Sequence, residues 1–371
     1  MKILIIFHKI QKKGGVVILL LKIAKQFEQF GHEVSVFSFD SITKSKNIFL
    51  NLININRNLK NHITIFNPDV IFTADLFITT IFSLLAKKNQ IPIISFVGTL
   101  THSFYASRII EMISPNNIYV SLYYFINFIL EKVSTIIFKK INYTVFNSYL
   151  NQKLSGSTNS IVIPNGVEIT TNLKLKINQP IKLIYVGRIH PRKTIELIIE
   201  SLKILKRDNL NFHFSIVGQT SHHPKYWNKL SALIDKYQLV DFITVHNEIE
   251  NKLLFELLQT HDVLLFSTDD RNYPVCEGLP NVILEGMANG LAIVSTDVGD
   301  IAKVVSKKNG FLVKPIPEDF AEKITFLIKN HDILLQMKKE NVNIVAQNYT
   351  IKKVAILYLK LFEQILSLRK K

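Results

Sequence analysis

Cys276-Glu277-Gly278-Leu279-Pro280-Asn281-Val282-Ile283-Leu284-Glu285-Gly286-Met287-Ala288-Asn289-Gly290 sets two carboxylates eight residues apart across a Gly-Leu-Pro turn, then enters an apolar helix that stops at Gly290. Pro280 suits the first helical turn, where its missing N–H is not needed. Glu277 therefore belongs to the loop before the helix and Glu285 lies near the helix start, so both can face one cleft. A carboxylate so placed accepts two hydrogen bonds from a sugar diol. The helix dipole alone also favours acidic residues in a first turn, but it gives no reason for the Gly-Leu-Pro-Asn between them. Cys276 reads as a small packing residue, since no base stands beside it in the sequence.

Ninety residues earlier stands a second polar constellation, Tyr185-Val186-Gly187-Arg188-Ile189-His190-Pro191-Arg192-Lys193. It follows an apolar strand pattern and precedes an amphipathic helix. Cations at the positive end of a helix are unfavourable unless an anion is present. Arg188 can fork onto two phosphate oxygens, and Lys193 can supply a mobile point charge. A third feature is Gly14-Gly15 after the first strand, where backbone N–H groups can approach an anion without obstruction by side chains. Alone, such a pair also fits a plain turn. Lys12 and Lys13 precede it.

Short apolar runs alternate with amphipathic stretches, which predicts parallel sheets joined by helices. Ile3–Phe7 is the first strand, and Val16, Leu19, Leu20, Ile23, Phe27 and Phe30 follow at helical spacing. Gly31 ends that helix before the strand His32–Phe37. Further strands are expected at Val70–Phe72, Ile93–Phe96, Tyr143–Phe146 and Ile161–Ile163. The pattern then restarts with a strand at Ile181–Val186, a Gly187-Arg188 turn and a helix at Thr194–Leu205. It continues with strands at Phe212–Val217, Phe242–Val245, Val263–Phe266, Ala292–Ser295 and Phe311–Val313. Two strand–turn–helix openings imply two Rossmann-like halves, residues 1–167 and 168–371, with the boundary in the polar segment after Asn165-Gly166-Val167.

The length agrees: 371 residues exceed the roughly 250–300 that one core sustains. One cysteine excludes an intramolecular disulfide and fits a reducing compartment. The apolar start, Met1–Phe7, is too short for a signal sequence and runs into His8-Lys9 without a cleavage site, so a buried strand explains it better. The formal charge of +16 is spread over both halves, with 17 basic and 8 acidic side chains in residues 1–170. Composition bias and attraction to anionic lipid or phosphorylated substrates both account for it. No nucleic-acid-binding motif stands out. Ile118–Leu130 is apolar on nearly every face but falls short of the ~20 residues that span a bilayer. It reads as a buried helix or as an element entering the membrane interface, with its tyrosines at headgroup depth.

The Glu277–Glu285 run resembles the Glu-x7-Glu motif of retaining glycosyltransferases with the GT-B fold, the family 4 group. The Gly187-Arg188…Lys193 loop resembles the Gly-Arg…Lys loop of the same family. The resemblance is strong over residues 181–315 and diffuse before 165. It implies an α/β, GT-B chain: two Rossmann-like domains with parallel sheets facing across a cleft, the last helix (about 351–368) crossing back to the first. It implies that Glu285 binds the ribose hydroxyls and Glu277 the donor sugar, with Gly278, Leu279, Pro280 and Asn281 between them at the donor. Gly14, Gly15, Gly187, Arg188 and Lys193 would hold the diphosphate. The reaction implied is transfer, with retention, of a sugar from a nucleoside diphosphate (UDP or GDP) to a hydroxyl of a lipid-linked or cell-surface glycan such as capsule, O-antigen or lipopolysaccharide.

No metal or other cofactor is expected. The resembled pattern operates without a divalent cation, Asp269-Asp270 is only superficially a metal pair, and no His/Cys cluster has zinc spacing. A cytoplasmic enzyme, peripheral at the inner membrane face, is the expected setting. The sequence also departs from the family. Arg192 and Thr194 replace the usual acid and glycine around Lys193. The family's histidine after Ile93–Phe96 falls near Gly98, which leaves His102 as the candidate and His8 as a lesser one. Asn165-Gly166 resembles the family's domain junction, and Val298-Gly299-Asp300 a loop lining its cleft. The rival readings are a GT-B nucleotide-sugar epimerase or hydrolase and a non-catalytic sugar-nucleotide-binding subunit.

Overall fold

The computed structural model describes residues 1–7, 15–40, 48–74, 91–97, 143–155, 157–170, 173, 175–247, 249–269 and 277–368. His8, Lys12, Lys13, Gly14, Gly98, His102, the 118–130 segment, Asp270 and Cys276 lie outside the described residues. The chain divides into two compact units. The first comprises residues 1–166, 274–278 and 351–371, and the second residues 167–273 and 279–350.

In the first unit, strands β1 (Lys2–Phe7), β2 (Glu33–Ser38), β3 (Val70–Thr73), β4 (Ile93–Val97), β5 (Tyr143–Phe146) and β6 (Ser160–Val162) form one sheet in the order β2-β1-β3-β4-β5-β6. Every pairing is parallel. Strands covered on both faces read as continuous apolar runs, and Ile3 to Phe7 are at most 1% exposed. Helix α1 (Gly15–Gln29) buries Leu19, Leu20, Ile23, Ala24 and Phe27 on one side. Helices α2 (Ile48–Phe66) and α3 (Tyr149–Ser155) follow.

In the second unit, β7 (Ile181–Val186), β8 (Phe212–Val217), β9 (Ile243–His246), β10 (Val263–Phe266), β11 (Ala292–Thr296) and β12 (Gly310–Val313) form a sheet ordered β12-β11-β10-β7-β8-β9, again all parallel. This is the dinucleotide-type order. It reverses between β7 and β10, and ligands of open α/β sheets bind beyond the strand carboxyl ends at such a reversal. Helices α4 (Ile195–Arg207), α5 (Pro224–Lys236), α6 (Asn251–Gln259), α7 (Asn281–Ala288), α8 (Pro317–Lys329) and α9 (His331–Asn348) complete it.

The final helix, α10 (Ile351–Leu368), returns to the first unit. Ile351, Val354, Ala355, Tyr358, Leu361, Phe362 and Ile365 recur at helical spacing on its buried face. Phe362 meets the Phe27 ring of α1 edge-on at 5.7 Å, and Tyr358 lies 5.0 Å from the Phe72 ring. Among the described residues, no helix is long and apolar enough to cross a membrane.

The second unit holds a buried ion pair. Asp262, just before β10, is 0% exposed and Lys338 of α9 is 3% exposed, with Nζ 2.7 Å from Oδ1. Lys338 also donates to the carbonyls of Lys176 at 2.8 Å and His261 at 3.2 Å, which satisfies all three ammonium donors. The Asp262 carboxylate accepts the Lys182 backbone N–H at 3.0 Å and the Asn178 side-chain amide at 2.9 Å. One buried carboxylate thus ties together α9, the approach to β7 and the start of β10.

Candidate functional site

The Gly187–Lys193 loop leaves β7 at the sheet's reversal point, and the segment after neighbouring β10 latches it. Ser267 Oγ donates to the Lys193 carbonyl at 2.6 Å, and Thr268 Oγ1 donates to the Arg192 carbonyl at 3.1 Å. The Asp269 N–H donates to that same carbonyl at 2.8 Å. Both hydroxyl residues are at most 1% exposed. These three bonds fix the backbone whose side chains carry the loop's charge, and none of them was visible in the loop's own sequence.

At the loop's start the Gly187 N–H donates to the Val217 carbonyl at 3.0 Å, and the Tyr185 hydroxyl donates to the Arg188 carbonyl at 3.0 Å. Gly218 at the end of β8 is required by close approach: a Cβ there would lie 2.2 Å from the Gly187 carbonyl oxygen. Arg188 is exposed, as suits a guanidinium that receives a ligand. Lys193 corrects the expectation of a mobile point charge. It is only 7% exposed, and its ammonium sits 4.5 Å above the Phe266 ring, a cation–π contact that holds it over the end of β10. Arg192 is also 7% exposed.

Pro191–Lys193 form one 3-10 turn, with His190 as its N-cap. The expected helix at Thr194–Leu205 begins one residue later. Thr194 is left-handed, at φ 38 and ψ 43, and its buried Oγ1 makes no hydrogen bond. A β-branched residue is strained in that region, which glycine takes without strain. The cap that Thr194 does not supply comes from α5. The Tyr226 hydroxyl accepts the Ile195 N–H at 2.8 Å and donates to Glu196, which also receives Lys229 Nζ at 2.8 Å. Burial, followed by this bond to Glu196, pushes the Tyr226 hydroxyl far above its ordinary pKa.

The Glu-x7-Glu run divides between the units. Glu277 and Gly278 belong to the first. A Cβ on Gly278 would lie 2.9 Å from Cβ of Ser148 and 3.4 Å from Nδ2 of Asn151. Ser148 Oγ accepts the Asn151 N–H at 3.3 Å at the start of α3. Leu279, 7% exposed, opens the second unit's part. Pro280 is the N-cap of α7 rather than its first helical residue, and Asn281 takes the first helical position. Glu285 is half-buried one turn in. Behind it Gly286 brings α7 against β10, where a Cβ would lie 2.8 Å from Cδ2 of Leu264. Gly15, the described half of the Gly14-Gly15 pair, is the exposed first residue of α1.

A cavity of about 590 Å³ opens at the carboxyl ends of β10, β11 and β12, lined by Thr268, Asp269, Thr296, Asp297, Val298 and Lys314 among others. It places Val298 on its wall and shares Thr268 and Asp269 with the latch. Among the described residues, no group of three or more His, Cys, Asp or Glu stands close enough to hold a metal ion.

The chain is similar to known proteins. Residues 170–343 match the family model of the glycosyl transferases group 1. The match covers just under half of the chain and contains the Gly187–Lys193 loop, the latch and α7. WcaL of Salmonella typhimurium, a glycosyltransferase assigned to colanic acid biosynthesis, is 28% identical over 193 residues, which are 50% of this chain and 46% of that protein. AmsK, the amylovoran biosynthesis glycosyltransferase of Erwinia amylovora, is 25% identical over 42% of this chain and 38% of its own length. The chain thus spans about half the length, or less, of these curated relatives.

Solved structures extend the likeness to the whole chain. A glycosyltransferase from Rickettsia africae superposes with TM-score 0.75 at 18% identity, covering 98% of both chains. Anabaena HepE in complex with UDP gives 0.73 at 16% identity, covering 98% of this chain and 100% of that one. The lipopolysaccharide outer core galactosyltransferase WaaB gives 0.68 at 16%, with the same coverage. At such identities the likeness establishes the fold. It is GT-B.

Proposed function

We propose that this group 1-type chain is a glycosyltransferase that moves a sugar, with retention, from a nucleoside diphosphate to a hydroxyl of a cell-surface or lipid-linked glycan. The observation that carries the reading is the latched Gly187–Lys193 loop. An exposed Arg188 and a Lys193 pinned over Phe266 lie at the sheet's reversal point, where a diphosphate is best received. The matched family model, HepE with its bound UDP, and the polysaccharide assignments of WcaL, AmsK and WaaB support the donor and acceptor classes.

In this reading Glu285 accepts the two ribose hydroxyls, Glu277 contacts the donor sugar, and residues 278–281 together with Gly187 line the donor. Gly14 and Gly15 add backbone N–H groups at the phosphates. The bond between anomeric carbon and phosphate oxygen breaks, and Arg188 and Lys193 offset the charge gathering on the departing diphosphate. The acceptor hydroxyl attacks from the same face and gives its proton to that phosphate oxygen. Fixed charges aimed at a developing anion supply most of the rate enhancement in such a step. No divalent cation is required, because the two side-chain cations take its place. A peripheral, cytoplasmic-face location follows from the acceptor class.

Slow donor hydrolysis tests the stereochemistry without knowledge of the acceptor. Proton NMR of the protein with UDP- and GDP-linked hexoses should show the sugar released first as the anomer present in the donor. First release of the opposite anomer would contradict retention, and release of an epimerised sugar would favour the epimerase.

A further inference from the structure

Among the described residues of the second unit, His190 caps a turn and His223 a helix start through a ring nitrogen. The His190 Nδ1 accepts the Arg192 backbone N–H at 3.2 Å, closing the Pro191–Lys193 turn. The His223 Nδ1 accepts the Tyr226 N–H at 3.3 Å at the start of α5. The rings meet edge-on with centroids 5.4 Å apart. An Nδ1 that accepts a hydrogen bond carries no proton, so the proton of each neutral ring sits on Nε2.

We propose that His190 is a positioning residue for the donor diphosphate: as a neutral imidazole it caps the turn that presents Lys193, and protonation of Nδ1 removes that cap, leaving only the turn's backbone bonds and the latch to hold it. The inference rests on the donor reading above. An imidazolium would set N–H against the Arg192 N–H, so the side-chain acceptor that caps the turn is lost. Four charged or titratable groups among the described residues oppose that protonation. Arg188 and Arg192 face it from its own loop, and His222 and His223 from the loop after β8. Burial, with these charges adding to it, holds the His190 pKa below its ordinary 6.5. The cap is therefore intact at neutral pH and is lost as pH falls through that lowered value, in the acidic range below 6.5. The position lies between Arg188 and Lys193, where a ligand-binding loop gains from a side chain that fixes backbone rather than one that contacts ligand.

The substitution that separates capping from charge is His190→Asn, because asparagine caps as well or better and does not titrate. Calorimetric titration with UDP and GDP from pH 7.5 to 5.0 should compare wild type, His190→Asn and His190→Ala. At pH 7.5, His190→Ala should bind about fivefold more weakly, the size of one N-cap contribution, and His190→Asn within about twofold of wild type. In acid, wild type should weaken relative to His190→Asn by about the same fivefold factor. The ligand's own phosphate protonation cancels in that ratio.

Parallel pH profiles for wild type and His190→Asn would overturn the proposal, as would a wild type that tightens relative to His190→Asn in acid through attraction by an imidazolium. If wild type binds neither nucleotide at any pH, the donor reading falls and takes this one with it. Imidazole 15N NMR of the wild-type protein gives a readout independent of any variant's folding. An unprotonated His190 Nδ1 at pH 7.5 is expected, and a protonated one would overturn the cap.

Discussion

Lys193→Ala should lower donor turnover by roughly 10²–10³-fold, the loss that follows removal of one preorganised group from a developing oxyanion. The expectation is large because the side chain is already in place. The residue is 7% exposed, its ammonium lies 4.5 Å above Phe266, and its backbone is held by Ser267. Little ordering is left to be done when the leaving diphosphate gains charge. Lys193→Arg should not restore activity, since a guanidinium would stack flat on that ring and spread its charge over a planar fork, where the ammonium places a compact point charge. HPLC of nucleotide released from the donor measures both variants. Turnover within about threefold of wild type in Lys193→Ala would remove Lys193 from the chemistry, being far short of that expected loss.

Lys338→Met should destabilise the second unit by about 3–5 kcal/mol, the usual cost of leaving one member of a buried ion pair uncompensated. Asp262 would remain 0% exposed, with only the Lys182 N–H and the Asn178 amide groups to offset its charge. Those remaining donors place the expected loss toward the lower end, about 3 kcal/mol. Burial already draws the Lys338 ammonium below its ordinary pKa, against the pull of Asp262, so the pair as a whole gains little over an apolar substitute. Asp262→Asn combined with Lys338→Met should therefore recover part of the loss. Urea unfolding followed by Trp227 fluorescence reads this unit, because Trp227 is the chain's one tryptophan and packs on its core. A loss below about 1 kcal/mol would show that water or a shifted proton compensates Asp262.

The sheets were legible because they are built from local pattern. Ile3–Phe7 and Val263–Phe266 are unbroken apolar runs, and Ile181–Val186 is interrupted only by Lys182; such runs have few folded fates other than the doubly covered strands they form here. The Glu277–Glu285 spacing and Gly187-Arg188 stood out for the same reason, since each pattern is complete within a dozen residues. Contacts that join distant segments were not. Lys338 looks like one more surface lysine on α9 until Asp262, 76 residues earlier, is found against it. His190 and His223 are separated by a whole strand and helix, and nothing within the Gly187–Lys193 loop's own sequence points to a partner at His223. Thr194 was visible as a departure from the resembled loop, but its left-handed backbone and the Tyr226 hydroxyl that caps α4 instead belong to tertiary structure.

The measurement that bears most directly on the donor assignment is calorimetric titration of wild type and Glu285→Ala with UDP, GDP and their sugars. Saturable binding of one nucleotide series, lost in Glu285→Ala while the variant keeps its thermal midpoint, is the predicted result. Unchanged affinity in Glu285→Ala, or no binding of either series by wild type, would contradict the account.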